Sequence, residues 1–207
     1  MLAAGVIFYN DREGLKRTLA SLEQFKYVFC IDGKFRDVKE GPLLSNDGSR
    51  EVIDRFSNAI LCSSLERSEP EKRSVYLEMA SSFKCDYLLV IDTDEYVIGN
   101  IDERELKEPY YYVRMVLSNH KLPVHYSPRF IKIEKGMKYG LNHNRLLVGG
   151  KIIELAIRAN KPLSKVLEGF EIHGDDALRT EDYRNTISEY QKILFAQEQG
   201  LSVKANS

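Results

Sequence analysis

Asp92, Thr93 and Asp94 follow the apolar run Leu88-Leu89-Val90-Ile91 and lead into Glu95 and Tyr96. In an extended chain, residues two apart project to the same side, so Asp92 and Asp94 can face one ligand while Thr93 faces away. Two carboxylates aimed together repel each other unless a cation sits between them. Mn2+ or Mg2+, which prefer hard oxygen ligands, meet that need and complete their shells with water and substrate phosphates. The plainer reading of the same residues is a solvated acidic turn. Their place directly after an apolar strand favours the metal.

Two other apolar runs end in polar clusters. Residues 3–8 lead into Tyr9-Asn10-Asp11, and residues 27–31 lead into Asp32-Gly33-Lys34. Open α/β sheets bind ligands outside the carboxyl ends of their parallel strands, so parallel neighbours would bring all three clusters to one rim. Asp32 can form a turn, or it can accept hydrogen bonds from a ribose or a base edge. Lys72 and Arg73 open a helix, where positive charge opposes the helix dipole. Helix stability does not explain them, so they either reach a diphosphate or are solvated. His173 lies in Glu171-Ile172-His173-Gly174-Asp175-Asp176; a lone histidine is more often structural than a ligand.

The elements needed to position these residues can be read from periodicity. Strands are expected at 3–8, 27–31, 59–62 and 87–91, alternating with helices at 13–24, 49–56 and 69–83, with an ordered loop at 33–46. That alternation predicts a mostly parallel sheet flanked by helices. After residue 100 the strands expected at 110–117, 129–134 and 144–148 have no long helices between them, which predicts antiparallel or mixed pairing. A last amphipathic helix is expected at about 180–198, with Tyr183, Ile187, Tyr190 and Leu194 on one stripe.

A length of 207 residues fits one domain, and 43% hydrophobic with 29% charged residues is an ordinary globular composition. With 30 Lys and Arg against 31 Asp and Glu, nothing favours a nucleic-acid partner. No apolar run approaches the roughly 20 residues of a membrane span. The start lacks a basic leader, which points to a cytoplasmic location. Cys30, Cys62 and Cys85 are an odd, scattered set among apolar neighbours, expected as buried reduced thiols rather than disulfides or zinc ligands. The end at Ser207 has no domain-closing feature, so a piece of a longer multidomain protein is expected.

In order and spacing the motifs resemble the GT-A fold nucleotide-sugar glycosyltransferases, in particular glycosyltransferase family 2. The matching segments are Gly5 to Asp11 with its Leu-rich helix, Phe29-Cys30-Ile31-Asp32-Gly33, Asp92-Thr93-Asp94, Pro128-Arg129-Phe130, and Glu171-Ile172-His173-Gly174 before a Tyr/Arg-rich segment. The pattern also resembles the amino-terminal transferase domain of multidomain proteins that glycosylate the capsids of large algal viruses, which would place it in the host cytoplasm.

The resemblance implies a single Rossmann-like domain with a nucleotide-binding half over 1–100 and an acceptor-binding half over 101–207. It implies a nucleoside diphosphate sugar donor, usually UDP-linked, with Tyr9, Asn10 and Asp11 lining the pocket and Asp32 near the uridine. Asp94 would be the closest ligand of Mn2+ or Mg2+, with Asp92 nearer the ribose or a metal-bound water, and His173 matches a late histidine that completes the metal site. A glycan, lipid or glycoprotein hydroxyl would be the acceptor. Family members invert the sugar by one in-line displacement, which needs a carboxylate base. Here the sequence departs from the family: the usual acidic pair is not evident, and His143-Asn144 stands where relatives show His-Glu. Glu95, Glu154, Asp175 and Asp176 remain candidates for the base. Two other readings stand beside this one: a haloacid-dehalogenase type phosphatase with Asp92 as nucleophile, and a non-catalytic nucleotide-sugar-binding domain.

Overall fold

In the computed structural model, the described residues are 1–118, 124–140, 145–149, 151–154 and 165–175. The first half alternates as its apolar runs predict: β1 (Leu2–Phe8), α1 (Arg12–Ala20), β2 (Tyr27–Asp32), α2 (Ser49–Ile53), β3 (Ala59–Ser63), α3 (Glu69–Ser82) and β4 (Tyr87–Ile91). Every residue of β1 and β4 is buried, as expected for strands covered on both faces. Then come β5 (Glu95–Gly99), a 3-10 turn at Glu103–Glu105, β6 (Tyr110–Ser118), β7 (Val124–Lys132), β8 (Lys138–Tyr139), β9 (Arg145–Val148), β10 (Lys151–Glu154) and β11 (Val166–Asp175).

Eight strands form one mixed sheet in the order β3-β2-β1-β4-β7-β6-β11-β5, and β10-β9-β8 form a small second sheet. The strands β3, β2, β1 and β4 are all parallel, whereas β7 runs antiparallel to both β4 and β6. The large sheet joins residues from both halves of the chain into a single α/β domain, as the sequence predicts.

That sheet has to curl. Laid flat, β5 would lie four strand spacings from β4, about 19 Å. Four residue steps from Ile91 to Glu95 reach only about 14 Å. The short link therefore folds the far edge of the sheet back beside the rim of β4. Here α1 covers the edge strand: the Arg17 guanidinium donates to Asp94 O at 2.9 Å, the Ser21 hydroxyl accepts Val97 N–H at 3.1 Å, and Gln24 bonds both Gly99 O and Ile101 N–H. These side chains occupy one face of the helix and its C-terminal extension, and they satisfy backbone groups that an open edge would expose.

The core lies on both sides of the sheet. Leu15, Leu19 and Leu22 pack with Phe8, Cys30 and Ile91 on one side, while Tyr76, Leu77 and Ala80 pack with Phe29, Leu88 and Val90 on the other. Gly5 makes the second contact possible, because a Cβ there would sit 2.6 Å from the Tyr76 ring. The three cysteines are free thiols, Cys30 and Cys85 buried and Cys62 half-buried.

Several boundaries differ from expectation for local reasons. α1 stops at Ala20 because the Ser21 hydroxyl donates back to Thr18 O, and the backbone leaves the helix. α2 stops at Ile53, where Arg55 and Phe56 bond three residues back and tighten the chain into a turn. β7 begins five residues earlier than expected, with Pro128 inside it at a register shift. The strands β5, β8, β10 and β11 were not expected. The helix expected at 180–198 lies outside the described residues. Among those described, no helix is long and apolar enough to cross a membrane.

Candidate active site at the strand rim

Register places the three polar clusters on one rim. Phe8 pairs with Asp32 and Val6 with Ile91, so the chain leaves β1, β2 and β4 on the same side of the sheet. Tyr9–Asp11, Asp32–Lys34 and Asp92–Asp94 follow.

The first cluster is held by a later loop. Asn10, which takes a left-handed backbone (φ 48°), donates its N–H to the Ser45 hydroxyl at 2.9 Å and accepts Asn46 N–H at 2.9 Å. Asp11 caps α1 by accepting Gly14 N–H at 3.1 Å, and its own N–H reaches the Ser49 hydroxyl. Tyr9 donates its hydroxyl to Pro42 O at 2.7 Å. These bonds fasten the segment after β1 to residues 42–49.

Asp32 is fully buried. Its carboxylate accepts the Ser45 hydroxyl at 2.7 Å, the Ser45 N–H at 3.1 Å and the Arg50 guanidinium at 2.6 Å. Arg50 also reaches the Ser63 hydroxyl at the end of β3. Lys72 lies beneath this rim and is not solvated: it is completely buried, donates to Gly33 O, and stands 4.7 Å from the Phe35 ring centre. Burial pulls its pKa down to about 8, with Asp32 opposing that shift.

The third cluster is a closed turn. Asp92 N–H donates to a Glu95 carboxylate oxygen at 2.9 Å, and Glu95 N–H donates back to Asp92 O at 3.1 Å. Thr18 of α1, fully buried, brings its hydroxyl to 2.6 Å from Glu95 O and 3.0 Å from Thr93 O. Gly174 lets β11 approach from the other side, since a Cβ there would meet Asp94 O at 3.0 Å. Two arginines balance the acids. Arg73, which is also buried, lies 2.7 Å from Asp92 and 2.7 Å from Glu69, and bonds the Tyr76 hydroxyl at 3.2 Å. Arg129 reaches Glu95 at 2.8 Å and Asp92 at 3.4 Å.

Burial raises the Glu95 carboxyl to about 7; Arg129 opposes that shift, and the neighbouring Asp92 and Asp94 add to it. For Arg73, burial acts to lower its pKa, but Asp92 and the nearby groups outweigh it and hold the guanidinium well above its usual range. Arg73 thus stays charged against a converging set of carboxylates.

Among the described residues, Asp92, Asp94 and Glu95 each bring one ligand oxygen into a group whose members lie within 4.8 Å of one another. An all-carboxylate set suits Mg2+ or Mn2+. Glu95 is buried, one oxygen accepting Asp92 N–H and the other paired with Arg129 of β7, whereas Asp92 and Asp94 are half-buried. His173 is not in that group. It pairs with Tyr96 across β5 and β11, with ring centres 5.7 Å apart, and its Nε2 lies 2.8 Å from Glu171, which is ion-paired with Arg114.

Among the base candidates, Glu95 serves the turn, Glu154 ends β10 in the small sheet, and Asp175 ends β11 one residue past Gly174. The side chains of Glu154 and Asp175, and all of Asp176, lie outside the described residues. Sequence reasoning missed Ser45, Arg50, Thr18 and Arg129 as parts of the site. Only Arg129 gave a signal, as the centre of Pro128-Arg129-Phe130.

No protein-family profile and no curated protein sequence matches the chain. Among solved structures, the chain is similar to S. aureus TarS 1-349 at 17% identity and a TM-score of 0.42, over 58% of this chain and 37% of that one. A second TarS structure from S. aureus is similar at 16% identity and a TM-score of 0.39, over 58% of this chain and 22% of that one. The chain thus spans well under half the length of either.

Proposed function

We propose that this chain is a metal-dependent glycosyltransferase that moves a sugar from a nucleoside diphosphate sugar, UDP-linked in the simplest case, to a hydroxyl of a glycan, lipid or glycoprotein. The observation that carries this reading is the convergence of Asp92 and Asp94 on a closed turn at the carboxyl rim of a buried parallel strand. The motif order described above gives the reaction class.

In this reading Asp94 and Asp92 hold Mn2+ or Mg2+, which when bound supplies positive charge against the departing diphosphate. Tyr9, Asn10 and Asp11 line the nucleotide pocket. Asp32 shapes its floor and lies near the base, held by Ser45 and Arg50. Arg73 keeps Asp92 oriented from beneath. During transfer the bond from the anomeric carbon to the phosphate oxygen breaks as the bond to the acceptor oxygen forms on the opposite face, and a carboxylate takes the acceptor proton. Asp175, beside Gly174, is the base candidate next in sequence to a residue that touches the turn.

The rival phosphatase reading makes Asp92 a nucleophile, and the two guanidinium groups on Asp92 bear on that role and on metal ligation alike, so the two readings are separated by assay. Transfer assays with a panel of UDP- and GDP-sugars and Mn2+ test the proposal: donor consumption that depends on both metal and acceptor supports it. Phosphate release from a simple phosphoester without sugar transfer overturns it.

A further inference from the structure

Alternation of buried and more exposed residues breaks on both sides of Arg129 in β7: Ser127 and Pro128 are both buried, and so are Phe130 and Ile131. The register shifts at the same place: Tyr111 pairs with Phe130 and the next residue, Tyr112, pairs with Pro128. Arg129 is therefore the extra residue of a β-bulge. The β4 ladder with β7 also ends at Phe130. Proline has no N–H to give a regular ladder, so a bulge is where a strand tolerates it. Such a bulge re-aims one side chain, and here the side chain is the guanidinium that touches both Asp92 and Glu95.

Those two residues are the first and last of the acidic turn. Three carboxylates that converge without a counter-charge would push the turn open. Arg73 answers from α3, but its second carboxylate partner is Glu69 on its own helix, so it ties the turn to the core rather than closing it. Arg129 spans the turn itself. Its planar fork can hold two carboxylates at once, which a lysine ammonium does less well.

We infer that Arg129, delivered by the bulge at Pro128, is a positioning residue that holds the Asp92 to Glu95 turn in its cation-ready shape. This rests on the reading of that turn as a cation site. Residues that orient metal ligands typically change metal affinity by about 10- to 100-fold when removed.

The test is calorimetric titration of the full chain with Mn2+ alone, well below the melting temperature of each protein. Arg129→Met is expected to lose about tenfold or more in Mn2+ affinity, and Arg129→Lys to recover part of it. Pro128→Ala keeps the guanidinium and removes the reason for the bulge, so it is expected to weaken Mn2+ binding in the same direction, and it carries the test if Arg129→Met fails to fold. A purely structural role would lower the melting temperature and leave the affinity of the folded protein unchanged. Unchanged or tighter Mn2+ binding in the folded variants overturns the inference. Absence of Mn2+ binding in the wild type overturns the cation site itself, a result seen before any variant is measured.

Discussion

Ser45 and Asp32 are joined twice, by the Ser45 hydroxyl at 2.7 Å and by its N–H at 3.1 Å, and the same hydroxyl oxygen accepts Asn10 N–H. A single serine thus ties the end of β2 to the end of β1. Ser45→Ala leaves a buried carboxylate and a backbone N–H each short of one partner, at a cost of about 1–2 kcal/mol. UDP affinity should fall with it. Urea denaturation and UDP titration check both effects; a variant with wild-type stability and affinity would show that the loop is not held this way.

Asp32→Ala goes further, because it removes the partner of Arg50 and empties a fully buried position. The expected loss is about 3 kcal/mol of stability. Asp32→Asn is therefore the better probe of nucleotide binding, since it keeps the shape, and circular dichroism should show it folded with weaker UDP affinity.

Thr18 offers the turn a hydroxyl from α1, at 2.6 Å from Glu95 O. Thr18→Val keeps the volume and removes that donor, leaving the first carbonyl of the edge strand, Glu95 O, without it. A loss of about 1–3 kcal/mol is expected, with faster hydrogen exchange concentrated in β5. Uniform exchange across the sheet would argue against a local clamp.

Glu95 gives a pH signature. Its carboxyl is raised by burial from 4.5 to about 7, so between those values the folded protein holds a proton that the unfolded chain has released. The contribution of this group to stability is complete below about pH 4.5 and is lost as pH rises through about 7. Glu95→Gln is neutral throughout, so its urea midpoint should fall less than the wild-type midpoint between pH 5 and pH 8. Equal falls in the two proteins would remove Glu95 as the source.

How much of this was legible in the sequence follows from range. Strands β1, β2 and β4 are nearly continuous apolar runs, so both the strands and the polar clusters that end them could be read directly. Strand β5 carries Glu95, Ile98 and Gly99 in five residues and owes its existence to β11, whose paired residues lie some seventy positions later. Strand β11 is interrupted by Glu168, Gly169, Glu171 and Gly174, a pattern that reads as a loop until its neighbours are known. The site divides in the same way. Asp92 and Asp94 announce themselves by spacing, whereas Ser45, Arg50 and Arg129 act on carboxylates 13, 18 and 34 or more residues away. Lys72 and Arg73 stand out in the sequence as charges that helix stability does not explain, and the structure buries both, Lys72 on Gly33 O and Arg73 on Asp92.

The most direct measurement is titration of UDP into the wild type and Asp94→Asn, each with and without Mn2+. A neutral amide is a poor ligand for a hard cation. Mn2+ is expected to strengthen UDP binding in the wild type and to leave it unchanged in Asp94→Asn. Equal strengthening by Mn2+ in both proteins, or no UDP binding in the wild type under either condition, would contradict that expectation.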